Sequence, residues 1–305
     1  MPQLKNQIPT GFDHPTSEPK DAEEFSKWQK ANRNWWQNHP MRYDWRDQIQ
    51  AGEFSKEFYA EIDNRFFSAV REYMPWSKIP FDPLIDFQSL RNQNVLEIGV
   101  GSGHHAQLLT EYARSFTGID LTDYAVQSTA ERMRLRGLNA KICQMEAESL
   151  DFPDAVFDFV WSWGVIHHSS APQKIIREIQ RVLKPDGVAI IMVYHRNIWN
   201  YYIQGWLRGI FQSYFLRGKS IHEIIQFEND GAIARFYSIS EWRSLTSAYL
   251  KVKNIQIFGS KADLIPLPAG KWKNLCLRFF PNWLSRFFTN QLQLGTFLVS
   301  ALRKT

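Results

Sequence analysis

Gly99, Gly101 and Gly103 alternate directly after the apolar run Asn94-Val95-Leu96-Glu97-Ile98, and the chain then turns helical at His104-His105-Ala106-Gln107-Leu108-Leu109. A buried strand entering a glycine-rich turn at a helix start brings bare backbone close to a nucleotide-like ligand and aims free N–H groups at its anionic end. The spacing narrows the ligand. A dinucleotide fingerprint needs glycine at position 104, where this chain has His104. Glu97 instead stands two residues before the first glycine, an acid suited to a ligand that carries an ammonium. A second acid, Asp120, closes Phe116-Thr117-Gly118-Ile119 at 120 − 99 = 21 residues past Gly99. That is near the ~20-residue offset at which a second strand offers a carboxylate to ribose hydroxyls. Adenosine joined to an amino acid fits these groups better than a pyrophosphate does.

Three further segments follow: Gln144-Met145-Glu146-Ala147-Glu148-Ser149-Leu150, Phe157-Asp158-Phe159-Val160-Trp161-Ser162-Trp163-Gly164 and Val182-Leu183-Lys184-Pro185-Asp186-Gly187. With the glycine turn and Asp120, they resemble the class I S-adenosylmethionine-dependent methyltransferases, in that family's order, over about positions 92–195. The stretch from Trp35 to Trp45 resembles the N-terminal part of some bacterial members. The resemblance implies S-adenosylmethionine as cofactor, held by Glu97, Gly99, Gly101, Ser102, Gly103, Asp120, Leu121, Glu146, Ala147 and Ser162. Glu146 departs from the family's more usual Asp, which shifts the expected adenine contact. Tyr43 or Trp45 is placed to lie against the adenine or the sulfonium, where cation–π attraction is worth on the order of 1 kcal/mol.

Methyl transfer from a sulfonium is an in-line displacement, so a base is needed only if the acceptor arrives protonated. Bases are sought just past strand ends among groups that titrate near neutrality. His167 and His168 follow the fourth strand, and Tyr194 and His195 end the fifth. His195 is the more attractive, because Tyr194-His195-Arg196-Asn197 gathers polar groups; the histidine pair is read first as backbone-bonded. His104 and His105 are read as packing or capping residues. Neither His-His pair has the i, i+4 spacing of a helical metal site, so no metal is expected.

The elements that must position these groups are an α/β, Rossmann-like, mostly parallel seven-stranded sheet. Strands are expected at 94–98, 115–119, 140–144, 156–161, 187–194, 252–258 and 295–302. Phe54, Phe58, Ile62, Phe66 and Val70 recur every four residues, predicting an amphipathic helix over 53–74. The organisation expected is an N-terminal arm and helical extension or lid at 1–78, placed to close over the cofactor, a cofactor-binding core at 79–197, an aromatic lid insertion at 198–238 and the rest of the core at 239–305. The lid assignment rests on Trp199, Tyr201, Tyr202, Trp206, Phe211, Tyr214 and Phe215, which suggest a cover for a sizeable apolar pocket.

At 305 residues and 44% hydrophobic content, the chain is long enough for one large α/β domain with additions or for two small domains. No apolar run approaches the ~20 residues of a bilayer span, the first residues lack a signal-peptide core, and two cysteines, Cys143 and Cys276, make no disulfide framework. A cytoplasmic compartment is expected. The net charge of +5 is uneven: positions 251–305 hold nine Lys or Arg and one acid, Asp263, hence +8, which leaves −3 elsewhere. Within Lys271 to Phe288, aromatics and basic residues mix as they would in an interfacial membrane helix or a pocket wall. The wall is preferred here, because Pro281 interrupts any long helix. The function expected is methyl transfer to a small or medium-sized, partly apolar acceptor. Two alternatives are a peripheral enzyme acting on lipid or quinone at the membrane surface and a non-catalytic cofactor-binding scaffold. Nucleic acid is disfavoured as acceptor, because the fourth strand ends in Val165-Ile166-His167-His168 and not in an Asn/Asp-Pro-Pro-Tyr-type motif.

Overall fold

The computed structural model describes residues 8–44, 47–267 and 270–305. Helix α1 (Ala22–Asn38) starts at Asp21, whose carboxylate accepts the Glu24 N–H at 2.8 Å, and stops where Pro40 cannot continue it. It therefore runs straight through Trp35 and Trp36. Helix α2 (Lys56–Tyr73) is capped by Ser55 and buries Phe58, Ile62, Phe66 and Val70, the stripe that its four-residue spacing predicts.

The core follows as β1 (Asn94–Ile98), α3 (His104–Thr110), β2 (Ser115–Asp120), α4 (Asp123–Arg136), β3 (Lys141–Gln144), β4 (Phe157–Trp163), α5 (Pro172–Val182) and β5 (Leu183–Tyr194). After it come α6 (Gln204–Phe211), α7 (Ile221–Glu228), α8 (Ile239–Ser247), β6 (Lys251–Phe258), α9 (Lys271–Phe279), α10 (Asn282–Arg286) and β7 (Phe297–Arg303). The seven strands form one sheet in the order β3-β2-β1-β4-β5-β7-β6, with β7 antiparallel to both of its neighbours and the other pairings parallel. Every expected strand is present, displaced at its ends by up to four residues.

The sheet is apolar on both faces, as parallel strands flanked by crossover helices must be. Leu96, Val160 and Ile191 pack with Ile175 and Ile179 of α5 and Trp242 of α8. Val95, Trp161 and Ile190 pack with Phe66 and Val70 of α2 and Ala106 of α3. Strand order reverses between β1 and β4, so the carboxyl ends of β1, β2 and β4 open a crevice there.

The insertion after β5 begins with a π-helical turn, Ile198–Ile203, and continues as α6 and α7. Gly209 lets α6 lie against Phe215, whose ring a Cβ at that position would meet at 2.3 Å. The face of α6 turned away from α7 carries exposed Trp206, Ile210 and Phe211.

Candidate functional site

A cavity of about 530 Å³ occupies the crevice. Its floor is the set of turns leaving the strands: Gly99 to Ser102 after β1, Asp120 to Thr122 after β2, Met145, Ala147 and Glu148 after β3, Trp163 to Val165 and His168 after β4, and Tyr194 at the end of β5. Its roof is the N-terminal extension, through Gln29, Asn32 and Trp36 of α1, Met41 and Tyr43 of the link, and Phe66 and Tyr73 of α2. Phe297, Ala262 and Asp263 close the far side.

The roof corrects the expected lid. None of the aromatics of the 198–238 insertion lines the cavity, and Asp230 is its sole contribution among the described residues. Tyr201 is buried beside Phe236 and His222, while Trp206 and Phe211 face solvent. The Lys271–Phe288 segment likewise adds no residue to the cavity wall. The N-terminal roof is tied down by polar contacts: Ser102 donates to the Met41 carbonyl at 2.6 Å, and Gln29 donates to Glu148 at 3.1 Å.

The glycine turn has left-handed backbone at all three glycines, with φ of 82°, 54° and 78°. A Cβ on Gly99 would sit 2.2 Å from Val165 Cγ2, whereas around Gly101 the space is open. Gly99→Ala is therefore expected to cost about 2–4 kcal/mol, combining strained φ with a clash against β-branched Val165. Urea unfolding checks this, and a loss below ~0.5 kcal/mol would contradict the geometry.

Asp120 is the fixed acid of the site. Its Oδ2 accepts the Gly101 N–H at 3.1 Å, and its Oδ1 accepts the Thr122 N–H and hydroxyl, each at 3.0 Å. Burial holds its carboxyl above the usual range, and the Gly101 and Thr122 bonds act against that shift. Glu148, which the acidic turn contains but sequence reasoning did not single out, is a second buried acid. It accepts from Ser169 at 2.6 Å and from Gln29, and burial pushes its carboxyl up.

Several expected cofactor residues stand elsewhere. Glu97 does not line the cavity: its carboxylate is buried, 3.6 Å from His105 Nδ1, and burial raises its pKa well above the usual range. Glu146 points outward into an ion pair with Arg33 at 2.7 Å, while its neighbours Met145 and Ala147 face inward. Ser162 is buried in β4 and donates to the Ile98 carbonyl at 3.3 Å. Gly103, the N-cap residue just before α3, packs against Thr129. Gly99, Gly101, Ser102, Leu121, Ala147 and Tyr43 do line the cavity; Trp45 lies outside the described residues.

At the end of β5 consecutive side chains point to opposite sides. Tyr194 lines the cavity and His195 does not; the His195 ring is turned to the Gly295 carbonyl, 3.0 Å from Nδ1. This corrects the preference for His195. His168 lines the cavity and His167 is fully buried behind it, its ring 3.8 Å from that of Tyr194. His168 Nδ1 stands 2.7 Å from the Ile233 carbonyl. That contact requires the proton on Nδ1 and leaves the Nε2 lone pair as an acceptor. Burial lowers its pKa to about 4, so the ring is neutral. Tyr194 is pushed up by burial and stays a phenol. His104 and His105, read from sequence as packing, also line the cavity, and both nitrogens of His104 and Nε2 of His105 lack a hydrogen-bond partner.

Burial lowers His105 to about 3 and His222 to about 4. The unfolded chain protonates a histidine near pH ~6.5, so between that value and about 4 the unfolded state binds more protons. Stability is then lost as pH falls through this window. Asp120 and Glu148, raised in the fold, have the opposite sign and recover some stability as pH falls towards their unfolded values. Urea unfolding from pH 7 to 4.5 should show declining stability, with a slope reduced by up to ~1.4 kcal/mol per pH unit in His222→Gln. A flat wild-type profile would contradict the buried neutral histidines.

Residues 96–191 match the family model described as a methyltransferase domain. Over that span the chain is similar to the class I S-adenosylmethionine-dependent methyltransferases. It is 32% identical over 158 residues to an uncharacterized methyltransferase of Bacillus subtilis, covering 50% of this chain and 55% of that protein. It is 27% identical over 168 residues to the 2-methyl-6-phytyl-1,4-hydroquinone methyltransferase of a Synechocystis species, covering 53% and 49%. This chain thus spans about half the length of the curated relatives it matches. The crystal structure of the PH0226 protein from Pyrococcus horikoshii shares the fold, with a TM-score of 0.50 at 16% identity over 79% of this chain and 92% of that one.

Proposed function

We propose that this methyltransferase moves a methyl group from S-adenosylmethionine to a small or medium-sized, partly apolar acceptor enclosed beneath α1 and α2, with His168 as the base. The observation that carries this reading is one cavity with two unlike ends. Asp120 and the open Gly101 backbone lie at one end, and Trp36, Tyr194 and His168 at the other.

The residues present fit the cofactor. Asp120 would hold the ribose hydroxyls, Leu121, Met145 and Ala147 would flank the adenine, and the unpartnered nitrogens of His104 and His105 would meet the polar amino-acid end. Tyr43 would offer its ring to the sulfonium. When bound, the cofactor supplies an electrophilic methyl on a cationic sulfur. This chain's own part is alignment and exclusion of water by a roof of aromatic side chains. The acceptor's O–H or N–H proton would pass to His168 Nε2 while Nδ1–H stays on the Ile233 carbonyl. The transfer discharges positive charge as the imidazole gains it, so the buried site gains no net charge. The similarity to a hydroquinone methyltransferase supports an apolar, ring-bearing acceptor, and so does the enclosed apolar wall.

Incorporation of labelled methyl from S-adenosylmethionine into the apolar fraction of a host extract tests the reading. With an acceptor in hand, His168→Gln should lower kcat by about 100-fold with cofactor affinity unchanged. No incorporation into any fraction would overturn the activity, and a loss in kcat within threefold would overturn the base.

A further inference from the structure

The α9 helix buries none of its side chains. Trp272, Leu275 and Phe279 fall at i, i+3 and i+7, one face of a helix, and Trp272 and Phe279 are 78% and 74% exposed. On that geometry Lys271 and Arg278 lie along one side of the apolar face. Past Pro281, α10 presents Trp283, which is 66% exposed. The insertion offers a second such face on α6, with Trp206 and Phe211 exposed.

The start of the insertion and α10 meet at one turn. Trp199 Nε1 at 3.2 Å and Gln204 Nε2, both from the insertion, donate to the Asp263 carbonyl, and α10 packs on the same Lys261–Asp263 turn. Ala262 and Asp263 of that turn line the cavity. The turn that carries α10 and the insertion is thus also part of the cavity wall.

We propose that α9, α10 and α6 form a docking surface for an anionic lipid bilayer. Aromatic side chains flanked by lysine and arginine suit the headgroup layer, where rings enter the acyl boundary and the basic stems reach back to phosphate. The complement of charge is local: from Lys261 to Arg286 there are five Lys or Arg and one acid, Asp263. A nine-residue helix is far too short to span a bilayer, and no described helix is long and apolar enough to cross one, so this surface lies in the interface. If the cavity holds its acceptor as read above, docking turns its rim towards the membrane and lets a lipid-soluble acceptor enter from there.

Flotation of the full chain with vesicles tests the surface. At low ionic strength the protein should float with phosphatidylcholine–phosphatidylglycerol vesicles, float less with phosphatidylcholine alone, and be released by molar salt. Trp272→Ser with Phe279→Ser and Trp283→Ser should cut the floated fraction about tenfold, and Lys271→Glu with Arg278→Glu should remove the preference for anionic lipid. Calorimetric S-adenosylmethionine binding should be unchanged in both variants, which separates this surface from the cavity. A wild-type chain that stays unbound at low salt overturns the proposal. So does sedimentation showing a dimer that the triple variant dissociates while flotation is unaltered, because the face would then pair two copies.

Discussion

Asp120→Ala should weaken S-adenosylmethionine binding by about 100-fold or more, measured by calorimetry on purified protein. Hydrogen bonds to a carboxylate are worth about 1.5–3 kcal/mol each, and two ribose hydroxyls would be lost together. The change also removes the acceptor of the Gly101 N–H and of Thr122, so the glycine turn loosens as the ligand loses its anchor. Asp120→Asn keeps an acceptor oxygen without the charge and should lose about 10-fold. An alanine variant that binds within threefold of wild type would show that the carboxylate does not hold the cofactor.

Arg132→Met should cost about 2–4 kcal/mol in urea unfolding, the largest loss expected from a residue that does not touch the cavity. The Arg132 side chain is 1% exposed, and its Nη2 donates to both carboxylate oxygens of Asp63, at 2.5 and 2.6 Å. It also donates to Gln107 at 2.9 Å and to the Ser102 carbonyl at 3.3 Å. One guanidinium therefore fastens α2, α3 and α4 to the glycine turn. Removing one partner of a buried pair leaves the other uncompensated, at about 3–5 kcal/mol, reduced here because Asp63 keeps some access to water. Asp63→Asn in the same chain should recover part of the loss, and a double-mutant cycle reads the coupling. A shift below ~0.5 kcal/mol would contradict this role.

The parts of this molecule legible in the sequence are those whose cause is local. Alternate glycines after Ile98 dictate a turn whatever surrounds them, and the four-residue repeat from Phe54 to Val70 dictates a buried helix face. The roof was partly legible: an N-terminal extension over the cofactor is expected, but Gln29 meets Glu148 across 119 residues, and neither neighbourhood carries a sign of the other. The histidines held an unused signal. Tyr194 ends β5 and His195 follows it, and the two cannot both face one cavity, so alternation at that strand end demanded a choice that polarity alone made wrongly for His195. Periodicity marks Trp272, Leu275 and Phe279 as one face and is silent on what covers it. A pocket wall and an uncovered surface therefore read alike until the fold is known.

A crystal structure with S-adenosylhomocysteine, the product left after methyl transfer, tests the central claim most directly. The account predicts ribose hydroxyls within hydrogen-bond distance of Asp120, the amino-acid end at Gly99 to Gly101, and the sulfur facing a space bounded by Tyr43, Tyr194 and His168. A cleft closed by Met41 and Tyr43 at saturating ligand, or a ligand bound away from Asp120, would contradict it.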